Sequence, residues 1–262
     1  MSSLERMLAI LDLFTATVAM LTAEDIAARL DYSRPTAYRY VRVLVTAGLL
    51  VRMPQGYSLG PRIIELDWHI RRFDPVLAVS RPIIASLARS TGCDVTQMAM
   101  YGERIVTIDH EVGTEPRAIG FGRGRPVPLF RGAPSRAIIA FLPRARLKRL
   151  YERHLAELSP ELRQRGFIGL YDLMQQVRRT GYAVSIGELE PENVGIAAPL
   201  RVGAMVSGSL CLVLTTVRYL TANQELLAAM VVDAARRIET ALDAAGLSHA
   251  SLASATGTPV FA

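Results

Sequence analysis

The sequence predicts an α+β protein of two domains, an N-terminal winged helix-turn-helix followed by a larger domain of antiparallel strands and helices. Residues 22–60 carry, in order, the signals of a helix, a tight turn, a second helix and a β-hairpin. Five arginines and no acidic residue lie between Tyr32 and Ile64, although the whole chain has a formal charge of only +6. From residue 93 onward, short strand-like segments alternate with helices, and 262 residues are enough for two cores.

The two helices of the N-terminal motif have recognisable ends. Thr22 and Asp25 have the spacing of a capping box, and residues 31–33 form the turn that follows the first helix. Pro35 then occupies the first turn of the second helix, where a missing N–H costs nothing, and Gly48 ends that helix as a C′ residue. The inward-facing residues are Ile26, Ala27 and Leu30 in the first helix and Ala37, Val41, Leu44 and Val45 in the second.

The outward face of the second helix has the polarity of a helix that binds in a DNA major groove. It carries Thr36, Arg39, Arg42 and Thr46, and the local excess of arginine supplies the charge that phosphate binding needs. The segment Pro54-Gln55-Gly56 is the turn of the wing. The residues predicted to bind double-stranded DNA are Ser33, Arg34, Thr36, Tyr38, Arg39 and Arg42, with Arg52, Gln55 and Tyr57 on or near the wing.

Composition offers a simpler explanation for part of this charge. Only Lys148 among the thirty basic residues is a lysine, so the chain favours arginine throughout, and a solvated basic face is the alternative. That bias does not explain the missing acids. Tyr38 and Tyr40 flank the buried stripe, and two interpretations stay open for them: packing against the first helix, or a hydroxyl on phosphate.

An amphipathic helix is expected on each side of the motif. Leu4, Met7, Leu8, Leu11 and Phe14 mark the first. The segment after the wing has apolar residues on more than one face, which is typical of a helix that contacts a second copy of the chain. We therefore predict a winged helix-turn-helix at 1–60, a linker helix at 61–75, a second domain at 76–246 and a disordered tail at 247–262.

The second domain begins with a helix closed by Gly92 and a hairpin that turns at Gly102 and Glu103. Residues 116–120 offer another sheet edge, and a loop rich in glycine and arginine leads into a helix at 135–142. Thr221 is expected to cap the last long helix. Further helices are expected at 147–155 and 170–180, and further strands at 182–188, 193–202 and 209–217.

Several classes of protein are excluded by composition. No run of eighteen apolar residues occurs and the N-terminus lacks a signal-peptide pattern, so we expect a cytoplasmic protein with no membrane partner. Cys93 and Cys211 are far apart and the four histidines are scattered, so we expect no disulfide framework, metal or cofactor. The glycines of GFGRGR do not have the GxGxxG spacing, and GxSxG and HExxH are absent, so we expect no enzyme.

In five segments the chain resembles the IclR-type bacterial transcriptional regulators. The resemblance implies a winged helix-turn-helix joined by a helix to a GAF-like effector-binding domain. It also implies a dimer or dimer of dimers that binds an operator and responds to a small, usually acidic, metabolite. The segments are SLERMLAILDLF, LTAEDIAARLDYSRPTAYRYVRVL, YSLGPRIIEL, PVPLFRGAPSRAIIAFLP and GYAVSIGELEPENVGIAAPLR.

The chain departs from this family at polar positions of the effector pocket. Members that sense small keto acids carry an Asp and a Cys at the positions of Ser185 and Gly195, two serines at those of Cys211 and Val213, and commonly a His at that of Phe130. Each change replaces polarity by apolar surface or space, which favours a larger, partly apolar ligand in a drier pocket. The expected liners are Met98, Ile119, Phe121, Phe130, Ala133, Pro134, Ser185, Gly195, Cys211 and Val213. Arg131 or a backbone N–H of the loop around Gly132 can hold a carboxylate, and the alternative for each liner is an ordinary core position.

These observations predict a DNA-binding transcriptional regulator modulated by a small molecule, an aromatic or otherwise hydrophobic carboxylic acid from a catabolic pathway. One alternative is an effector-independent or redox-responsive DNA-binding protein that uses Cys93 or Cys211 as its switch. An enzyme with a DNA-binding appendage is a further alternative.

Overall fold

A computed structural model describes residues 2–114 and 120–247, which form two compact units that divide between Asp74 and Pro75. The first unit is mainly helical, with one antiparallel hairpin whose strands are joined by the two-residue loop Pro54-Gln55. Its elements are α1 (Ser3–Leu8), α2 (Ala23–Leu30), α3 (Arg34–Thr46), β1 (Leu50–Met53), β2 (Gly56–Leu59) and α4 (Arg62–Phe73), and a 3₁₀ turn spans Leu11–Leu13.

The predicted helix ends of the first unit are confirmed. The Thr22 hydroxyl accepts from the Asp25 N–H at 3.1 Å, and the Asp25 carboxylate accepts from the Thr22 N–H at 2.9 Å. Pro35 lies in the first turn of α3. Gly48 has φ +72° and, with the residue after it, donates to the last carbonyls of α3, as in a Schellman motif. The winged helix-turn-helix predicted from these signals is therefore present.

The expected apolar stripe of the first helix is correct for Met7, Leu11 and Phe14, which pack against the core of this unit, and wrong for Leu4 and Leu8. Leu4 is 69% exposed and Leu8 is 51% exposed, while Ile10 is fully buried. The reason is that α1 has only six residues, after which the chain turns into the 3₁₀ segment, so a helical period cannot run from Leu4 to Phe14. The core of this unit is formed by Ile10, Leu21, Ile26, Ala27, Ala37, Tyr40, Val41, Leu44 and Leu50.

The second unit is built on one six-stranded antiparallel sheet with strand order β5-β4-β3-β8-β7-β6. Its helices are α5 (Pro75–Thr91), α6 (Ala133–Ile139), α7 (Arg144–Arg153), α8 (Pro160–Thr180), α9 (Thr216–Thr221) and α10 (Gln224–Ala244). Its strands are β3 (Asp94–Tyr101), β4 (Arg104–Glu111), β5 (Pro126–Val127), β6 (Ala183–Ile186), β7 (Asn193–Val202) and β8 (Met205–Thr215). The edge expected at 116–120 falls mostly outside the described residues, and the observed edge strand is β5.

Both faces of this sheet are covered, because side chains alternate along each strand. On β8, Cys211 belongs to the core under α6, α7 and α8. Its neighbours Leu210 and Leu212 belong to the core under α5 and α10. The sheet is thus the middle layer of a three-layer unit. The predicted tail lies almost entirely beyond Leu247 and so outside the described residues.

The expected cap of the last helix is also wrong. Thr221 is the final residue of the short helix α9, and its hydroxyl donates to carbonyls of that helix. Asn223 caps α10 instead, since its side-chain oxygen accepts from the Leu226 N–H at 3.0 Å. Asn and Thr are both good N-cap residues. Asn223 caps α10 because Thr221 still belongs to α9 and Asn223 directly precedes α10. Across residues 2–114 and 120–247, no helix combines the length and apolar character that a bilayer crossing requires.

Candidate functional site

A basic surface lies along the outward face of α3. Arg34, Arg39 and Arg42 are exposed, and none of them forms an ion pair with a residue that the structure describes. The Arg39 guanidinium lies over the ring of Tyr40, 5.3 Å from its centroid. Thr36 is half-buried next to them, and its Oγ1 accepts a hydrogen bond from the Ser33 hydroxyl at 2.9 Å. Cationic side chains that are not neutralised by nearby acids can bind phosphate or base edges.

The two tyrosines of α3 have different environments. Tyr40 is buried, packs edge-on against Tyr32, and its hydroxyl lies 2.9 Å from the Ser3 hydroxyl, so it is a core residue. Tyr38 is 48% exposed, and its hydroxyl donates to Glu24 of α2 at 2.9 Å. That hydrogen bond to Glu24 raises the pKa of Tyr38. Tyr38 therefore presents the edge of its ring to solvent while its hydroxyl holds α3 to α2.

The wing presents Arg52 and Gln55 to solvent. Tyr57 is half-buried on β2, and its backbone exchanges hydrogen bonds with Leu21 at 3.0 and 2.8 Å, which joins the hairpin to the chain before α2. The sequence prediction omitted one residue of this surface, Val43, which is 47% exposed and lies one turn from Arg39. The helical spacing 36, 39, 43, 46 could have identified it. A small apolar group at such a position suits the methyl group of thymine.

A small cavity lies in the second unit, on the face of the sheet that α6 covers. Its volume is about 40 Å³, which holds two or three water molecules at roughly 10–15 Å³ each. Four adjacent strands contribute side chains from one face, and α6 and the loop between β6 and β7 complete the wall. The lining residues are Thr96, Met98, Phe121, Pro134, Ser185, Leu189, Glu190, Asn193, Gly195, Cys211 and Val213.

The cavity includes seven of the residues expected from the sequence: Met98, Phe121, Pro134, Ser185, Gly195, Cys211 and Val213. Phe130 is buried in the core instead of lining the cavity, Ala133 adjoins Gly195, and Ile119 lies outside the described residues. The space is smaller and more polar than the sequence suggested. Thr96 was missed although it stands two residues before Met98 on the same strand face. Leu189 and Glu190 come from a loop that carries no periodic signal. Asn193, the first residue of β7, was missed although it stands two residues before Gly195 on the same strand face.

Polar contacts tie the start of α6 to the loop between β6 and β7, residues 187–193. The Ala133 N–H donates to the Ser185 hydroxyl at 2.8 Å, and the Gly132 N–H donates to the Glu188 carboxylate at 3.0 Å. The same carboxylate pairs with Arg136 at 2.7 Å, and the Arg131 side chain donates to the Glu188 carbonyl. Both backbone N–H groups thus donate to acceptors of this chain, one of which is a carboxylate.

The cysteines do not have the environment of redox sensors. Both are buried, and burial raises the pKa of the Cys211 thiol to about 12. A reactive cysteine needs access to solvent and a lowered pKa, because the thiolate is the nucleophile. Within the described residues there is also no group of three or more His, Cys, Asp or Glu side chains that could hold a metal ion.

A winged helix-turn-helix with a basic outer face, followed by a separate α+β unit with a small, partly enclosed cavity, defines a DNA-binding regulator with a ligand-sensing domain. Residues 3–54 match the family model of the IclR helix-turn-helix domain, and residues 72–240 match that of the C-terminal domain of the bacterial transcriptional regulator IclR. The chain belongs to the IclR family of transcriptional regulators.

Curated relatives and solved structures agree with this assignment. The chain is 26% identical over 200 residues to the HTH-type transcriptional regulator KipR of Bacillus subtilis, covering 74% of this chain and 77% of the relative. It is 27% identical over 212 residues to the Pca regulon regulatory protein of Pseudomonas putida, with coverages of 76% and 69%.

An IclR regulator from Alicyclobacillus acidocaldarius has the same fold, with a TM-score of 0.76 at 22% identity and coverages of 91% and 98%. An IclR homolog from Microbacterium hydrocarbonoxydans, solved in complex with 4-hydroxybenzoate, has a TM-score of 0.72 at 23% identity, with coverages of 93% and 100%.

Proposed function

We propose that this regulator binds its operator through α3 and the wing, and that an aromatic or otherwise hydrophobic carboxylic acid entering the cavity changes that binding. The effector class is supported by an apolar surface and a pair of backbone hydrogen-bond donors that lie side by side. Met98, Phe121 and Val213 supply apolar wall, and the N–H groups of Gly132 and Ala133 lie at the start of α6 beside it. An effector carboxylate replaces Glu188 as the acceptor of the Gly132 N–H, and its apolar body fills the space among the side chains.

This effector needs more space than the unliganded cavity provides. A cavity that binds benzene measures about 150 Å³, several times the 40 Å³ found in this conformation. Leu189 and Glu190 belong to the loop 187–193 and form part of the wall, so outward movement of this loop enlarges the site. Two relatives support the class by analogy: the Pca regulon protein, and the fold neighbour complexed with 4-hydroxybenzoate.

A thermal-shift panel tests the effector class. Benzoate, 4-hydroxybenzoate and phenylacetate should raise the melting temperature of the second unit, and glyoxylate and pyruvate should not. A ligand at a hundred times its dissociation constant stabilises the native state by about 2.7 kcal/mol. A shift with the short keto acids alone would reject the aromatic class. Operator binding that ignores every acid but responds to peroxide would favour the redox alternative.

We propose that two copies of the chain bind the operator together, in contact through α4. Ile64, Trp68, Ile70 and Phe73 are all more than half exposed, and α4 has no buried residue. Such an apolar helix gains free energy by packing on its copy. A two-fold dimer also doubles the base contacts, with half-sites about 34 Å or a multiple apart.

Selection from random duplex DNA tests the operator symmetry, because a dimer should enrich a pseudo-palindrome. Replacing Trp68 and Ile70 by Glu should produce a monomer in sedimentation and weaken binding to the whole site. The matched control replaces Ile168 and Val217 of the second unit by Glu, two other exposed apolar residues that lie outside the proposed DNA-binding surface. A wild-type monomer at micromolar concentration would contradict the dimer.

A further inference from the structure

We infer that the Thr96 hydroxyl selects effectors that carry a hydroxyl group on the ring, at the end opposite the carboxylate. This inference rests on the proposed aromatic acid class and adds the residue that distinguishes members of that class. The cavity wall contains a buried polar group, the Thr96 hydroxyl, that the folded chain does not satisfy with a strong hydrogen bond.

Thr96 lies on β3, is 1% exposed and lines the cavity. Its hydroxyl oxygen is buried and meets strict hydrogen-bond geometry with no residue that the structure describes. It is paired instead with the thiol of Cys211, the residue opposite it on β8, which is a weak hydrogen-bond partner and stays neutral. A buried hydroxyl with so weak a partner destabilises the folded state. A ligand hydroxyl removes that cost, and in doing so binds more tightly than an analogue that lacks it.

The position of Thr96 in the sheet sets where the hydroxyl must be. The strand order β3-β8-β7-β6 places Thr96 three strands from Ser185, which accepts from the Ala133 N–H. Thr96 lies opposite Cys211, and a Cβ atom at Gly195 would lie 3.3 Å from both Cys211 Sγ and Ser185 Oγ, so the thiol and the Ser185 hydroxyl are no farther apart than twice that distance. A benzene ring with polar groups at its two ends, plus a hydrogen bond of about 3 Å at each end, is longer than this gap and extends past Cys211 to Thr96. A hydroxyl opposite the carboxylate therefore reaches Thr96 when the carboxylate is at α6.

The charges around the cavity favour a neutral group as the second polar group of the ligand. Glu190 is an acid in the wall, with its carboxylate bound to the Gly120 N–H and the Asn193 side chain. A second ligand carboxylate near it would be repelled. A phenolic hydroxyl is neutral at pH 7, and it can donate to or accept from the threonine hydroxyl.

Calorimetric titration of the full chain with 4-hydroxybenzoate and 4-methylbenzoate tests the inference, because the two acids differ in hydrogen bonding and little in size. Wild type should bind 4-hydroxybenzoate about fivefold more tightly, the factor that one net hydrogen bond of about 1 kcal/mol supplies. Thr96→Val should remove this preference by weakening the hydroxylated acid, and Thr96→Ser should keep it. Thr96→Ala serves as a second variant without the hydroxyl if Thr96→Val does not fold.

Ser209→Ala is the matched control, since the Ser209 hydroxyl is buried without a partner and lies outside the cavity lining. This variant should keep the wild-type preference. Equal binding of the two acids by wild type, or an unchanged preference in both Thr96→Val and Thr96→Ala, would overturn the role of Thr96 and leave the aromatic class standing. Failure of both acids to bind wild type would reject the aromatic class, and the inference with it.

Discussion

The two candidate sites are built in opposite ways. The candidate DNA-binding surface comes from one continuous stretch between Ser33 and Tyr57, and three of its arginines are exposed on α3, whose C-terminal end is closed by Gly48. The cavity takes its walls from four strands, one helix and two loops of the second unit, and nearly all of its polar groups are engaged or buried. The first site is therefore a property of local sequence, and the second is a property of the folded sheet.

This difference has energetic consequences. Substitutions on the surface of α3 remove contacts to DNA and leave the core unchanged, whereas substitutions in the cavity alter packing as well as binding. Variants of α3 are thus expected to lose DNA binding without losing stability. Variants of the cavity are expected to lose effector binding and stability together. Four experiments can break or sharpen this contrast.

The largest effect is expected for Arg39→Ala on α3. If Arg39 contacts a base, the loss is about 1–3 kcal/mol in each half-site, and specific binding falls by orders of magnitude in a dimer. A contact to phosphate alone would weaken all sequences and lower the log–log salt slope by about 0.9. Footprinting at several salt concentrations measures both. Arg149→Ala, which removes an exposed arginine of α7, is the control and should footprint as wild type does.

The second prediction concerns Gly195→Leu on β7. A Cβ atom at this position would already lie 3.3 Å from Cys211 Sγ and from Ser185 Oγ. The larger side chain should fill the cavity and abolish the effector stabilisation of about 2.7 kcal/mol, at a packing cost of about 1–3 kcal/mol. Thermal shift and urea unfolding separate these effects. Operator binding without effector should persist, and a full effector response in the variant would contradict the site.

The third prediction compares one ion pair from each unit. Glu188 and Arg136 have side chains that are 28% and 17% exposed, while Glu65 and Arg62 are 57% and 49% exposed. Glu188→Gln should destabilise its unit by about 1–2 kcal/mol. Glu65→Gln should cost about 0.3 kcal/mol, because solvent screens exposed pairs. Hydrogen exchange on peptides of each unit measures the stability that each substitution removes. Equal losses of stability in the two variants would contradict the difference expected between the two ion pairs.

The smallest effect is a pH dependence at the end of α7. The hydrogen bond that His154 makes to the Glu103 carboxylate raises the pKa of His154 above its ordinary 6.5, against the opposing effect of burial. The stabilisation is fully present below that ordinary value, and it is lost as pH rises through the higher value of the folded state. The protection of amides around residues 103 and 154, corrected for the base catalysis that speeds all amide exchange, should therefore fall as pH rises above 6.5, by no more than about 1 kcal/mol. His154→Gln should flatten this profile.

The sequence predicted what depends on near neighbours. The capping box of Thr22 and Asp25, the C′ glycine at Gly48 and the two-residue loop of the wing are local devices, and all three are present. Leu4 and Leu8 were misplaced because periodicity alone does not reveal that α1 ends after six residues. Thr221 was chosen over Asn223 because the short helix α9 gives no separate periodic signal.

The cavity was predicted less completely because its parts meet only through the sheet. Ser185, Gly195, Cys211 and Val213 stand at positions where the resemblance pointed to a pocket, and the structure brings them together. Phe130 stood at such a position too, but it packs into the core beneath α6. Glu190 is part of the wall because the loop between β6 and β7 follows from the pairing of these strands, and Asn193 is part of it as the first residue of β7.

On the proposed function, the small volume of the cavity also limits how quickly the regulator can bind its effector. On the proposed function, a ligand larger than the 40 Å³ cavity binds only to protein molecules in which the loop 187–193 has moved outward. The apparent dissociation constant is then the intrinsic one divided by the open fraction. At high effector concentration the observed association rate levels off at the rate of loop opening. The contact of Glu188 with Arg136 and Gly132 is therefore a timing element: it sets a threshold concentration and a delay that stand apart from the affinity of the cavity itself.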